Sequence, residues 1–230
     1  SKHLSKIAFL PQYALQKIIT YTTDITNVAL PEKLNDPFVV SLKPHELVTR
    51  AVAQLQEHLT SQNEWKHNFG LVENYSGKPI GKMFGVLVVQ TIPGDLGFLA
   101  AFSGKLADGN HHQYFVPPVF DSLHENEFLN RGMRALKVIN DQIKEIELAG
   151  CKAMSEHIKL KEKRKAHSQA LQNQLFDAYK FLNSSGHTKT PNQLFDTPPA
   201  GAGECAAPKL LQYAYIHRLK PLAIAEFWWG

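Results

Sequence analysis

The sequence predicts an α+β fold, with a central, mostly antiparallel sheet, flanking helices and a protruding helical arm. Three observations support this prediction: a hairpin pattern over 80–103, a seven-residue helical repeat that begins near 125, and an apolar strand pattern over 221–229. The expected parts are an N-terminal segment with the sheet hairpin in 1–124, the helical arm in 125–186, and a helix and strand that return to the sheet in 187–230.

The N-terminal part combines broken segments with one helix. Prolines interrupt 1–44, so we expect extended pieces and turns there, packed against another part of the protein. Apolar residues at four-residue intervals from Leu47 to Leu59 predict a helix over 45–61. The next stretch, from Trp65 to Asn74, predicts a strand.

The hairpin is the strongest strand signal in the chain. Val86–Val89 is apolar at every position, Pro93–Asp95 supplies turn residues, and Leu96–Phe102 is the returning strand. A strand pair that is apolar on both faces is typical of a sheet covered on both sides. We therefore expect this hairpin in the middle of the sheet.

The predicted arm has a helical repeat. Leu129, Leu136 and Ile143 recur every seven residues, and Ile139 and Ile146 lie on the adjoining row. This spacing favours a short coiled coil or a helical hairpin. The pattern fades at Gly150, resumes between Leu171 and Leu182, and ends at Asn183–Gly186.

The composition limits the classes of protein. The chain has 230 residues, a formal net charge of +4 and a pI near 8.9, a mildly basic balance that permits a polyanionic partner. Two cysteines, Cys151 and Cys205, argue against a disulfide scaffold and indicate a reducing compartment. No apolar run is long enough for a membrane span, and the first residues lack a signal-peptide layout. We expect a cytoplasmic protein with no membrane partner and no cofactor.

The densest basic run lies in the second half of the predicted arm. Its members are Lys152, Lys159, Lys161, Lys163, Arg164 and Lys165, joined by His157 and His167. Such a run suits the phosphate backbone of RNA. The alternative is a solvated helix face, partly neutralised by Glu156 and Glu162. Aromatic residues do not interleave with the lysines, so base stacking is not expected there.

The glycine-rich loop 198–203 leads into a predicted helix start at Glu204 and Cys205, with Lys209 close behind. This layout resembles the zinc site of nucleobase deaminases, in which a helix after a strand hairpin carries a metal ligand and a glutamate. Here the glutamate precedes the cysteine, and the usual glutamate position is occupied by Ala207. In the alternative interpretation, Glu204 offsets the positive helix terminus and Cys205 is a small buried hydrophobe. We prefer the structural interpretation and expect no catalytic residue and no metal site here.

Adjacent histidines, His111 and His112, occupy a polar loop. They could contact a ligand or RNA together with Glu204, Cys205 and Lys209, and these five residues are the candidate pocket. A metal site at the two histidines is not expected, because no third ligand stands at a suitable spacing.

Five stretches of the chain resemble the N-terminal extension of a bacterial subgroup of RluA-type RNA pseudouridine synthases. They are Phe69–Leu71, Gly81–Leu87, Gly97–Leu106, Phe115–Asp121 and Pro198–Gly230. The resemblance implies that the catalytic domain follows this segment, with its aspartate in a His-Arg-Leu-Asp motif. Here His217-Arg218-Leu219 is followed by Lys220, so we interpret that match as chance.

The chain departs from the family pattern in two further ways. Its helical arm is shorter than in relatives. In relatives, paired cysteines follow the Trp-Trp-Gly sequence, and this chain does not contain them. We expect the front part of a longer protein: an accessory domain, not catalytic alone, that contacts structured RNA such as rRNA or tRNA beside a C-terminal catalytic domain. The RNA contacts are expected from Lys159, Lys161, Lys163, Arg164 and Lys165. The alternative function is a degenerate deaminase-fold domain that binds a nucleoside or base and needs downstream cysteines for its metal.

Overall fold

The computed structural model describes residues 17–35, 43–73, 75–122, 127–150 and 155–230. They fold as two compact units. The first unit takes its described residues from 1–119, 182–187 and 204–230, and the second from 120–181 and 188–203. Cys151 and Lys152 lie outside the described residues.

The described residues contain five helices and five strands. In chain order they are α1 Glu46–Ser61, β1 Lys82–Gln90, β2 Leu96–Phe102, α2 Glu127–Leu148, α3 Ser155–Ala178, β3 Phe181–Leu182, β4 Thr188–Lys189, α4 Pro191–Leu194, α5 Ala206–Ile216 and β5 Lys220–Trp229. Helices combined with a small antiparallel sheet confirm the predicted α+β class.

A three-stranded antiparallel sheet in the order β2-β1-β5 forms the centre of the first unit. Val86 of β1 lies opposite Ala100 of β2 on one side and Ala225 of β5 on the other. The predicted hairpin and the predicted final strand are therefore both present, and they share β1 as a partner. The helix predicted over 45–61 is also confirmed, as α1.

Each face of this sheet packs against one helix. On one face, Phe84, Val86 and Val88 pack in a core that includes Leu47, Leu55 and other apolar residues of α1. On the other face, Leu87 and Val89 pack with Leu210 and neighbouring apolar residues of α5. Successive strand residues point to opposite faces, so a strand covered on both sides must be apolar at every position.

The described N-terminal segment runs along both edges of the sheet. Ile19 exchanges backbone hydrogen bonds with Phe98 of β2, at N–O distances of 2.8 and 3.0 Å. At the other edge, the Asn35 amide donates to the Leu222 carbonyl, and its own carbonyl accepts from Ile224. Gly97 is required at the first contact, because a Cβ there would lie 2.4 Å from the Ile18 side chain. The expected extended pieces are thus present in 17–35.

The predicted strand from Trp65 to Asn74 is wrong for its described residues, 65–73, which form no strand. Side chains of this segment bind backbone groups within it and just after it. The Gly70 amide donates to Asn68 Oδ1 at 2.9 Å, and Asn68 Nδ2 donates to the Gly77 carbonyl at 2.8 Å. His67 Nε2 lies 2.8 Å from the Ile80 carbonyl oxygen. Asparagine side chains compete with strand pairing in this way, and aromatic content alone does not reveal it.

In the second unit, α2 and α3 pack against each other. Ile139 and Ile143 of the predicted apolar stripe are buried. Gly132 allows the helices to approach closely, because a Cβ there would lie 2.5 Å from the Leu171 side chain. These two helices are called the helical hairpin below. A coiled coil in the strict sense stays a prediction.

Leu55→Ala should lower the free energy of unfolding by about 2–5 kcal/mol. Leu55 is fully buried between α1 and the sheet, so the shorter side chain leaves a cavity. Chemical denaturation measures the change, and Glu57→Ala, an exposed position on the same helix, should stay within about 0.5 kcal/mol of the wild type. Equal stability of the two variants would contradict this account of the core.

Candidate functional site

The five predicted RNA-contacting residues, Lys159, Lys161, Lys163, Arg164 and Lys165, all lie on α3 and are all exposed. An α-helix completes one turn in about 3.6 residues. Side chains four positions apart therefore lie on the same side of the helix, and side chains two positions apart do not. Lys161 and Lys165 therefore share one side of the helix. Lys159 and Lys163 share a different one.

Three of the five cations line one groove. Lys161, Arg164 and Lys165 border a volume of about 620 Å³ together with Leu136 and Asn140 of α2. Glu162, Ser168 and Gln169 complete the lining. This set is called the basic groove. Lys159 and Lys163 do not line it.

Glu147, at the end of α2, contacts two residues at the start of α3. Its Oε1 lies 2.9 Å from His157 Nε2 and 3.2 Å from Lys161 Nζ. The hydrogen bond from His157, and to a smaller extent the one from Lys161, hold the pKa of the Glu147 carboxyl below its ordinary value. His157 is buried, so this carboxylate joins the two helices at the same end at which it touches one cation of the basic groove.

Cys205 is the N-cap residue of α5 and does not cap the helix with its side chain. The expectation that it is a small buried hydrophobe is wrong, since Cys205 is exposed. Desolvation nevertheless raises the pKa of its thiol, with the nearby Glu226 as the second cause. The first two α5 amides bind side chains elsewhere: the Ala206 N–H donates at 3.2 Å to Oγ of Ser103, the residue after β2, and the Ala207 N–H donates at 3.0 Å to Oε1 of Glu226 in β5.

Lys209 is a buried cation with a structural arrangement of partners. Its Nζ donates to the Phe102 carbonyl at 2.9 Å and to the Gly104 carbonyl at 3.3 Å. Glu204 Oε2 lies 3.8 Å away, and the Phe102 ring centroid 5.1 Å away. Burial lowers the pKa of the Lys209 ammonium, and Glu204 acts in the opposite direction. The lysine thus ties α5 to the end of β2.

The two candidate histidines have different environments. His112 Nε2 lies 2.8 Å from the Leu106 carbonyl oxygen, and its ring packs 5.5 Å from Phe102 and 5.6 Å from Trp65 between centroids. His111 is exposed. His112 therefore belongs to the aromatic core around Phe102, while its neighbour faces solvent.

The structure contains a second cavity, of about 690 Å³, that the sequence did not predict. It lies in the first unit and is lined by Leu59, Thr60, Gln62, Asn63, Trp65, Lys66, His67, Asn68, Phe69, Leu71, Val72, Tyr75, Ser76 and Trp229. This is called the aromatic pocket. The available signal was a run of aromatic and amide residues in 62–75, of which we interpreted 65–74 as a strand. Trp229 joins the run only through β5, which sequence proximity could not indicate.

In the described residues, no group of three or more His, Cys, Asp or Glu side chains is placed to hold a metal ion. Over the same part of the chain, every helix is too short or too polar to cross a membrane. Comparison of the chain with protein-family models, curated proteins and solved structures gave no match.

Glu147→Gln should destabilise the protein in a pH-dependent manner. The folded-state pKa of Glu147 lies below the unfolded value of about 4.3, so its stabilising contribution is complete above that value and is lost as the pH falls through the folded pKa. We expect the variant to unfold more easily than the wild type at neutral pH, with the difference shrinking below about pH 4. Thermal melts across pH measure this. Glu145→Gln, an exposed change on the same helix, is the control, and a pH-independent difference would contradict the prediction.

Lys209→Met should cost about 1–3 kcal/mol of stability, because it removes the donor to two carbonyl groups at the end of β2 while keeping most of the side-chain volume. Urea unfolding is the measurement. Lys220→Met, at an exposed position, makes the same chemical change on the surface and should be nearly neutral. A Lys209→Met protein as stable as the control would show that the buried ammonium is not a structural tie.

Proposed function

We propose that this chain is an accessory, RNA-contacting part of an RNA pseudouridine synthase and is not catalytic alone. The sequence resemblance suggests the enzyme class. The observation that carries RNA contact is the basic groove, where Lys161, Arg164 and Lys165 stand together on one side of α3. The proposed partners are structured RNA, such as rRNA or tRNA, and a C-terminal catalytic domain, in the cytoplasm.

The chemistry of the basic groove suits the RNA backbone. Ammonium and guanidinium groups bind phosphate oxygens, and arginine does so with two parallel hydrogen bonds. Asn140, Ser168 and Gln169 add neutral donors and acceptors that can reach a ribose hydroxyl. Glu162 is the one carboxylate of the lining that the structure describes, and it would repel a phosphate placed directly over it. These features support recognition of backbone shape rather than of base sequence.

The contact between Lys161 and Glu147 does not prevent this role. The lysine side chain is 48% exposed and the glutamate 34%, and exposed ion pairs contribute little net free energy. A phosphate can therefore replace or share the carboxylate as partner of the ammonium. Lys159 and Lys163 would then contribute only to the general attraction of the polyanion.

The alternative function, a degenerate deaminase-fold domain that binds a nucleoside or base at Glu204 and Cys205, stays a prediction. A cysteine binds a metal as its thiolate. Desolvation together with the nearby Glu226 disfavours the thiolate of Cys205. Lys209 makes structural hydrogen bonds to the Phe102 and Gly104 carbonyls. The geometry therefore favours RNA contact through the basic groove.

The double change Lys161→Ala and Lys165→Ala should weaken binding to a structured RNA and reduce the slope of log affinity against log salt by up to about 2. The matched control is Lys159→Ala with Lys163→Ala, which removes the same charge at the same four-residue spacing from another side of α3. Filter binding or fluorescence anisotropy over a salt series measures both. Thermal melts check that each variant is folded.

Two outcomes would contradict the proposal. Unchanged RNA binding by the Lys161 and Lys165 variant would remove the basic groove as a contact surface. Equal losses in both double variants would mean that the RNA responds to overall charge, not to the groove.

A further inference from the structure

The aromatic pocket presents ring faces to solvent within a fixed frame. Trp65, Phe69 and Trp229 are half-buried, and Tyr75 is 38% exposed. Trp65 meets Phe69 edge-on at 6.2 Å, and Trp229 meets Phe227 edge-on at 6.4 Å. These rings are therefore held by the core on one side and are open to a ligand on the other.

The backbone around the pocket is fixed by its own polar side chains. Gln62 Oε1 accepts from the amides of Glu64 and Trp65 at 3.0 and 3.3 Å, and Gln62 Nε2 donates to the Trp65 carbonyl at 3.1 Å. Asn68 and His67 bind backbone groups of the same loop. The loop that carries Trp65, Phe69 and Tyr75 thus needs little ordering when a ligand binds, which favours affinity.

The polar lining suits an anionic aromatic ligand. Lys66 is exposed and is the one Lys, Arg, Asp or Glu among the described lining residues. Thr60, Asn63 and Ser76 supply hydroxyl and amide groups. A volume of about 690 Å³ lies in the range of small-molecule sites, roughly 300–1,000 Å³. Flat rings, one cation and neutral hydrogen-bonding groups together match a nucleobase attached to a phosphate.

We propose that the aromatic pocket binds an unpaired nucleobase of single-stranded RNA. The base stacks on an aromatic face of the pocket, and Lys66 contacts an adjoining phosphate. Stacking on aromatic side chains is tolerant of base identity, since every base has a π-face. A proline-rich peptide is the competing occupant of aromatic surfaces, but a neutral peptide would gain nothing from Lys66.

This site does not depend on the basic groove. The two surfaces lie in different units and use different chemistry: the groove binds by charge, and the pocket binds by stacking. Loss of one is therefore measurable while the other is intact.

Tryptophan fluorescence tests the proposal directly. The chain has three tryptophans, and two of them, Trp65 and Trp229, line the pocket. The third, Trp228, points to the opposite face of β5 and is 59% exposed. In a Trp228→Phe protein, the remaining emission therefore comes from the pocket. A short unstructured RNA and the free nucleosides should each quench it in a saturable manner.

Side-chain replacement assigns the binding to this pocket. Tyr75→Ala should weaken RNA binding by about fivefold or more, the lower end of the range for loss of one stacking partner. Phe195→Ala, an exposed aromatic position outside the pocket, is the matched control and should leave binding unchanged. Trp65→Leu should have the largest effect. Trp65→Leu can also unfold the protein. If it does, the result for Tyr75→Ala decides whether the pocket binds RNA.

The remaining outcomes separate the two proposals. The Lys161 and Lys165 double variant should keep the wild-type quenching by free nucleosides, and that quenching should be insensitive to salt because nucleosides carry no phosphate. No saturable quenching in the Trp228→Phe protein, or wild-type affinity in Tyr75→Ala, would overturn the pocket proposal. Quenching by a proline-rich peptide without quenching by RNA would assign the pocket to a peptide and overturn it as well.

Discussion

The burial of β1 on both faces is the constraint on which the first unit depends. Phe84 to Val89 are six consecutive buried residues between two neighbouring strands. One face needs α1 and the other needs α5, so elements from distant parts of the chain must meet at this strand. The aromatic pocket depends on the pairing of β1 with β5, since β5 delivers Trp229 to a loop more than 150 positions earlier in the chain.

The sequence around the start of α5 resembles a metal site, but the polar interactions found there hold the fold together. Ser103 and Glu226 bind the first amides of the helix, and Lys209 binds carbonyl groups at the end of β2. A buried ammonium with two carbonyl acceptors is paired as such groups must be when they leave water. Lys209, which follows the residues that resembled a weakened metal site, therefore joins a helix to a sheet.

The two candidate recognition surfaces differ in their physical basis. The basic groove places three cations on one side of a solvated helix, and its attraction for a polyanion weakens as salt screens it. The aromatic pocket offers rings held by core packing, and its attraction for a base has little dependence on salt. An RNA with both a folded backbone and an unpaired base could use both kinds of contact.

The sequence by itself determined the class of fold, the α1 helix, the β1–β2 hairpin, the apolar stripe of α2 and the position of β5, because each produces a local periodicity in the chain. It also located the basic run on the arm. It could not sort Lys161 and Lys165 from Lys159 and Lys163, since that depends on which side of α3 packs against α2. The irregular course of 65–73 was missed because Asn68 and His67 take backbone partners whose geometry leaves no periodic signal. The aromatic pocket was decided by tertiary structure alone: its rings come from the loop after α1 and from the last strand, and only strand pairing brings those segments together.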